Sequence, residues 1–253
     1  MNADPTDPSR RLVLLHGFTQ THHHWHRPAH HIARRIGRRT GMPPTLVLVD
    51  LPGHGLSAAD RTPITTSGPS LARLGGPGTW IGYSMGGRFA LHAALAPASP
   101  IDRLVLIGTT GGLTDPTERS ARRRLDDDRA THLERIGVQS FVDEWLDAPL
   151  FATLPPDRAD RAHRRRNTTA GLAASLRTAG TGTQLPLWEA IAGLATPTLV
   201  LAGELDEKFT AIGRQIAETM PDATFRTVPG AGHAAHAEAP DAVAEIVDGW
   251  LAG

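Results

Sequence analysis

The chain has 253 residues, enough for one large α/β domain, or for a core domain carrying an insertion, with a substantial core to bury. Lys+Arg and Asp+Glu number 26 each, so no charge excess suggests nucleic acid or a membrane surface as partner. Cysteine is absent, which excludes a disulfide framework and a thiol nucleophile and agrees with a reducing compartment.

The opening Met1-Asn2-Ala3-Asp4-Pro5 is polar and acidic, unlike a signal peptide, and no later run is long and apolar enough to span a bilayer. A cytoplasmic protein is expected. Residues 12–15 read as a buried strand leading into His16-Gly17-Phe18. The run His22-His23-His24-Trp25-His26, with His30 and His31, is unusually dense, and His26 and His30 have an i, i+4 spacing that could bind zinc. No carboxylate or cysteine joins the run in the sequence, and it overlaps the start of the first helix. It reads as structural or fortuitous, and no metal or other cofactor is expected.

Residues 46–49 form a second strand, ending at Asp50. The Pro/Gly-rich stretch 62–77 leaves little room for a helix, at most a turn or two around 71–74. Then comes Gly82-Tyr83-Ser84-Met85-Gly86, a complete G-x-S-x-G nucleophile elbow. It closes the β-prone run 78–81 and opens the helix-prone run 85–96. Strand 104–107 follows, ending at Gly108. From 112 to 187 there is no convincing strand, many charges, and helical periodicity in 120–137 and 138–146. This stretch is expected to be a helical cap inserted between core segments 1–111 and 188–253. Strand 199–201 and an edge strand at 223–227 complete the alternation. The pattern predicts an α/β fold with a doubly wound, mostly parallel sheet and functional groups at the carboxyl ends of its strands.

A serine hydroxyl becomes nucleophilic or basic only when a histidine polarises it and an acid orients that histidine. In this fold the chain order is Ser, then Asp or Glu, then His. Ser84, Asp206 on the loop after strand 199–201, and His233 after the glycine-rich Pro229-Gly230-Ala231-Gly232 satisfy it. Glu204 is a rival acid nearer the strand end, and His236 reads as a neighbour of the base. His16-Gly17-Phe18 fits an oxyanion loop, with the backbone N–H groups of Phe18 and Met85 as donors.

Most of the chain resembles the α/β-hydrolase fold, through Leu15-His16-Gly17-Phe18, Asp50-Leu51-Pro52-Gly53-His54-Gly55-Leu56-Ser57 and the elbow. Narrower motifs are similar to the 2-succinyl-6-hydroxy-2,4-cyclohexadiene-1-carboxylate synthases of menaquinone biosynthesis. They are Gly82-Tyr83-Ser84-Met85-Gly86-Gly87-Arg88, Gly203-Glu204-Leu205-Asp206-Glu207-Lys208-Phe209, Gly232-His233-Ala234-Ala235-His236-Ala237-Glu238, and, in the cap, Phe141-Val142-Asp143-Glu144-Trp145 and Gly171-Leu172-Ala173-Ala174-Ser175-Leu176-Arg177.

The resemblance implies an elimination. A cyclohexene bearing a succinyl ketone, a ring carboxylate and an enolpyruvyl ether loses pyruvate, without metal or organic cofactor. It further implies Arg88, Arg122 and Arg164 as carboxylate-binding residues, with Tyr83 and Trp145 in the pocket. Arginine suits a polycarboxylate, because its planar fork pairs bidentately and stays charged. Two other readings stand beside this one: a carboxylesterase or C–C bond hydrolase acting on a small anionic substrate, and a hydrolase fold that binds without turnover. The expected partner is a small-molecule polycarboxylate, and a monomer is favoured.

Overall fold

The computed structural model describes residues 10–253, so the reading of the first five residues lies outside it. Along β1 (Arg11–Leu15), Leu12 and Leu14 face one layer while Val13 and Leu15 face the other, because strand side chains alternate and both faces are covered. The remaining strands are β2 (Thr45–Val49), β3 (Gly78–Tyr83), β4 (Ile101–Ile107), β5 (Thr198–Gly203) and β6 (Ala223–Val228). All six expected strands form, each extending beyond its apolar run, in one parallel sheet of order β2-β1-β3-β4-β5-β6. The order reverses between β1 and β3, which opens a crevice above the carboxyl ends of these two strands.

The helices in chain order are α1 (His26–Thr40), α2 (Ile64–Gly75), α3 (Met85–Ala94), α4 (Pro116–Leu146), α5 (Pro156–Ala159) and α6 (Arg161–Arg164). They continue with α7 (Thr169–Ala179), α8 (Trp188–Ala192), α9 (Glu207–Thr219), α10 (Ala235–Glu238) and α11 (Pro240–Ala252). One face of the sheet is covered by α1 and α11 through Ile32, Val243 and Val247, with Trp25 just before α1, the other by α2, α3, α8 and α9 through Leu71, Phe89, Ile191 and Ile216. Between β4 and β5 the chain forms helices joined by loops and no strand. Its long α4 is two helices joined at Gly137, whose φ of 79° a residue with a side chain rarely adopts. A separate small core of Leu133, Phe141, Leu172 and Leu176 holds α4 to α7. No helix among the described residues is long and apolar enough to cross a membrane.

The stretch 62–77 overturns its expectation, because α2 occupies 12 residues of it. Ile64, Ser67, Gly68, Leu71, Ala72 and Gly75 are all buried, a helical stripe masked in sequence by its small residues. Pro69 lies on the exposed side, as does Thr65, whose carbonyl it leaves without a helical donor. The small residues permit close packing: a Cβ on Gly68 would collide with the His92 carbonyl of α3, and one on Gly75 with the Trp80 ring. Gly68→Ala is therefore expected to destabilise the protein by roughly 1–3 kcal/mol in urea unfolding, despite alanine's better helix propensity. An equal or raised midpoint would contradict this close approach.

Candidate active site

Ser84 sits between β3 and α3 with φ 51° and ψ −109°, a conformation non-glycine residues avoid. Two bonds from the end of β4 hold it there. Its N–H donates to the Ile107 carbonyl (2.8 Å), and its carbonyl accepts from Thr109 Oγ1 (2.6 Å). The elbow's glycines are obligatory: a Cβ on Gly86 would strike the Leu15 carbonyl, and one on Gly82 the Gly87 backbone. The serine hydroxyl thereby meets His233, with Ser84 Oγ 3.2 Å from His233 Nε2. The opposite ring nitrogen donates to the Asp206 carboxylate, His233 Nδ1 to Oδ2 at 2.8 Å. That bond fixes the tautomer and leaves Nε2 as an acceptor for the serine proton.

Asp206 is itself oriented, since it caps α9 and its Oδ1 accepts the Phe209 N–H at 3.2 Å. Glu204, the rival acid, instead accepts the Gly230 N–H at 2.8 Å and makes no bond to His233. The loop carrying His233 is clamped by Glu238, whose carboxylate accepts the N–H groups of Gly232 (2.8 Å) and Ala234 (3.0 Å) on either side of the histidine. Glu238 ends the family-like motif, but nothing local in the sequence marks it as a clamp.

The loop after β1 is held by groups buried beneath it. His16 donates from Nδ1 to the Gly17 carbonyl (2.8 Å) and accepts the Leu51 N–H at Nε2 (3.1 Å). His54 accepts the Thr19 N–H (3.3 Å) and donates to the Pro52 carbonyl (3.0 Å). Gln20 takes the Gly17 N–H at Oε1 (3.0 Å) and donates to His236 Nε2 (3.3 Å). Phe18 N–H alone in this turn has no acceptor among the described residues. Met85 N–H, first in α3, also precedes any helical acceptor.

A cavity above Ser84 and His233 is lined on the core side by Phe18, Met85, Arg88 and Lys208, and on the side of the helical insertion by Arg122 and Trp145. Arg88, buried, donates to the Ala179 carbonyl (2.6 Å) and Gln184 Oε1 (3.3 Å). Burial, with repulsion from Arg122, lowers its guanidinium to about 10, so it stays charged at neutral pH. Arg122 Nε is bonded to the buried Asp126 at 2.9 Å, leaving its terminal nitrogens for other partners.

Two of the residues expected at the pocket lie one layer behind its lining. Tyr83 is buried with its ring 4.1 Å from that of His236, and a Cβ on Gly17 would strike it. Arg164 is 1% exposed and donates to the Ala159 carbonyl (2.7 Å), Thr19 Oγ1 (2.5 Å) and the Phe18 carbonyl (3.4 Å). It buttresses the loop of Phe18 from the helical insertion.

A strained serine at the switch point of a parallel sheet, relayed through histidine to aspartate, defines the class. Residues 12–246 match the alpha/beta hydrolase family. Sequence similarity narrows this further. The chain is 34% identical over 240 residues to 2-succinyl-6-hydroxy-2,4-cyclohexadiene-1-carboxylate synthase of Klebsiella pneumoniae (92% of this chain, 90% of that protein). It is 33% identical over 259 residues to the Salmonella typhimurium enzyme of that name (98% and 96%). Its fold matches MenH from S. aureus with a TM-score of 0.86 at 32% identity, over 99% of this chain and 95% of that one. The chain belongs to the 2-succinyl-6-hydroxy-2,4-cyclohexadiene-1-carboxylate synthase family within the alpha/beta hydrolases.

The buried imidazoles have a measurable consequence. Desolvation pushes His16 down to about 4 and His54 and His236 to about 3. In the unfolded chain they titrate near about 6.5, so between these values the unfolded state binds more protons than the folded one. The stability they contribute is complete above about pH 6.5 and is lost as pH falls through that window, by about 1.4 kcal/mol per pH unit for each histidine. Urea unfolding at pH 7 and pH 5 measures it. His54→Asn is expected to flatten the slope, and identical slopes in both proteins would contradict buried neutral imidazoles.

Proposed function

We propose that this chain is a 2-succinyl-6-hydroxy-2,4-cyclohexadiene-1-carboxylate synthase acting in menaquinone biosynthesis, eliminating pyruvate from an enolpyruvyl-bearing cyclohexene. The observation that carries the mechanism is the unbroken relay from Ser84 through His233 to Asp206, at 3.2 and 2.8 Å, beneath a cavity lined by Arg88, Arg122 and Lys208. Three carboxylates on the substrate match a cationic lining, and residues 112–187 act as the cap that supplies part of it.

In this reading Ser84 Oγ takes the ring proton beside the succinyl ketone while passing its own proton to His233 Nε2. Asp206 stabilises the imidazolium so formed. The ketone oxygen, gaining charge as the enolate, is held by the N–H groups of Phe18 and Met85. Collapse of the enolate breaks the ring carbon–oxygen bond and expels pyruvate as its enolate, whose oxygen takes the proton held by His233, restoring the neutral triad. No water is consumed and no electron acceptor is needed. Arg88 holds a carboxylate, with Arg122 facing it across the cavity, and Arg164 and Tyr83 act on the substrate through the loop they support. All these groups come from one chain, which a monomer supplies in full, and the cysteine-free composition supports a reducing, cytoplasmic setting.

Ser84→Ala is expected to lower kcat by roughly 10²–10⁴-fold with substrate affinity within a few-fold of native, because the lost group acts in the transition state. Near-native turnover would remove Ser84 from the reaction. Arg88→Ala is expected to weaken substrate binding by about 1.5–3 kcal/mol, and Arg88→Lys to restore only part, since a point charge cannot reproduce the fork. Heavy-oxygen water separates elimination from C–C hydrolysis. Pyruvate with an intact succinyl group is expected, whereas labelled succinate as the main product would replace this reading with a hydrolase.

A further inference from the structure

The histidine-rich segment after β1 does not stand alone in space as it does in the sequence. His22 Nδ1 is 2.8 Å from Asp50, and His31 Nδ1 is 2.6 Å from Asp241 on α11. His24 accepts the Thr21 N–H at 3.1 Å. These three are accounted for by ordinary structure. The pair with helical zinc spacing, His26 and His30, is exposed and gathers no third ligand among the described residues. His23 differs. It lies against Asp160 and His163 of the helical insertion, and one ligating atom from each of the three falls within 4.8 Å of the others.

The details favour a cation. His163 Nδ1 is 3.1 Å from Asp160 Oδ1, and His23 Nε2 is 3.5 Å from Asp160 Oδ2. Ligands around a tetrahedral zinc at about 2.0–2.1 Å are themselves separated by roughly 3.3–3.5 Å. The carboxylate is also free of arginine: besides the imidazoles, it accepts only the His163 N–H at Oδ1 (3.4 Å) among the described residues. Arginines surround Asp160 in the sequence, yet Arg158 pairs with Asp157, Arg161 with Asp143 and Asp147, Arg165 with Asp143, and Arg164 donates to Ala159, Phe18 and Thr19. Among the described residues, Asp160 forms ion pairs only with the two histidines. Its backbone is held at φ 46°, in the left-handed region, where it is at once the C-cap of α5 and the N-cap of α6. The two rings lie stacked, 10° from parallel with centroids 3.4 Å apart, and both residues are partly exposed.

We propose that His23, Asp160 and His163 form a binding site for a divalent transition metal of zinc type, with solvent completing the coordination. Two imidazoles and one carboxylate are a set borderline-soft ions accept and calcium or magnesium do not favour. The site is outside the catalytic cavity, and its ligands come from both sides of a seam: His23 from the segment leading into α1, the other two from the insertion. A metal bound there staples the insertion to the core, and its predicted effect is on stability and on the mobility of α5 and α6 rather than on the chemical step.

Zinc titration of metal-stripped full-length protein by calorimetry is expected to show one saturable site per chain. Zinc should also raise the melting temperature, since it binds the folded state. His23→Ala and His163→Ala should each weaken binding at least about tenfold and abolish the thermal shift, while His30→Ala leaves both intact. Each variant should keep native turnover without metal, which shows that it folds. Cobalt substitution provides a readout independent of stability: the native protein should give the intense visible bands of a four-coordinate site, and the His23→Ala/His163→Ala double variant should not. No saturable binding in the native protein, or binding of equal strength in the double variant, overturns the assignment.

Discussion

The left-handed backbone of Ser84 is the constraint on which the site depends. Holding it costs on the order of 1–3 kcal/mol, and the surroundings must over-determine it. They do so from three directions: β4 supplies Ile107 and Thr109, α3 begins at once behind the serine, and β1 presses the Leu15 carbonyl against Gly86. A strand-to-helix turn this tight leaves no space for any side chain at positions 82 and 86. The consequence is geometric. Ser84 rises where the sheet order reverses, and residues from the loops after β1 and β6 and from the start of α9 line one cavity with it.

Beneath the loop after β1, the buried imidazoles of His16 and His54 are neutral and fully committed. His16 and His54 each spend one ring nitrogen donating to a carbonyl and the other accepting a backbone N–H. This arrangement needs uncharged rings, and full burial enforces it. Among the described residues of this loop the Phe18 N–H is left uncommitted, and Phe18 and Ser84 line the same cavity. Arg164 completes the frame by crossing from the helical segment between β4 and β5 to Phe18 and Thr19, which ties that segment to the loop after β1.

Much of this is legible in the sequence, for identifiable reasons. Strands buried on both faces appear as short apolar runs, and the elbow, Asp206 and His233 occupy strand ends that the runs locate. The helix α2 escapes a reading by pattern because its buried face uses Ser67, Gly68 and Gly75, residues suited to close approach rather than to helix propensity. Resemblance assigns Tyr83 and Arg164 to the pocket, but local sequence carries no information on which layer a side chain joins. The histidine segment misleads for a similar reason. Its carboxylate partners, Asp50, Asp160 and Asp241, are distant in the chain, and only the fold brings them together.

Lys208 lines the cavity and its ammonium lies 5.9 Å from the centre of the Phe209 ring, two residues after the Asp206 that bonds His233. It is also the one lysine among the 26 basic residues of the chain. Guanidinium groups do not react with amine-directed reagents under mild conditions, so apart from the α-amino group the protein offers such reagents a single target. The mouth of the cavity can thus carry a fluorophore, spin label or isotope-coded methyl at a unique position without any engineered residue. Its signal would report directly on whether the cavity is filled.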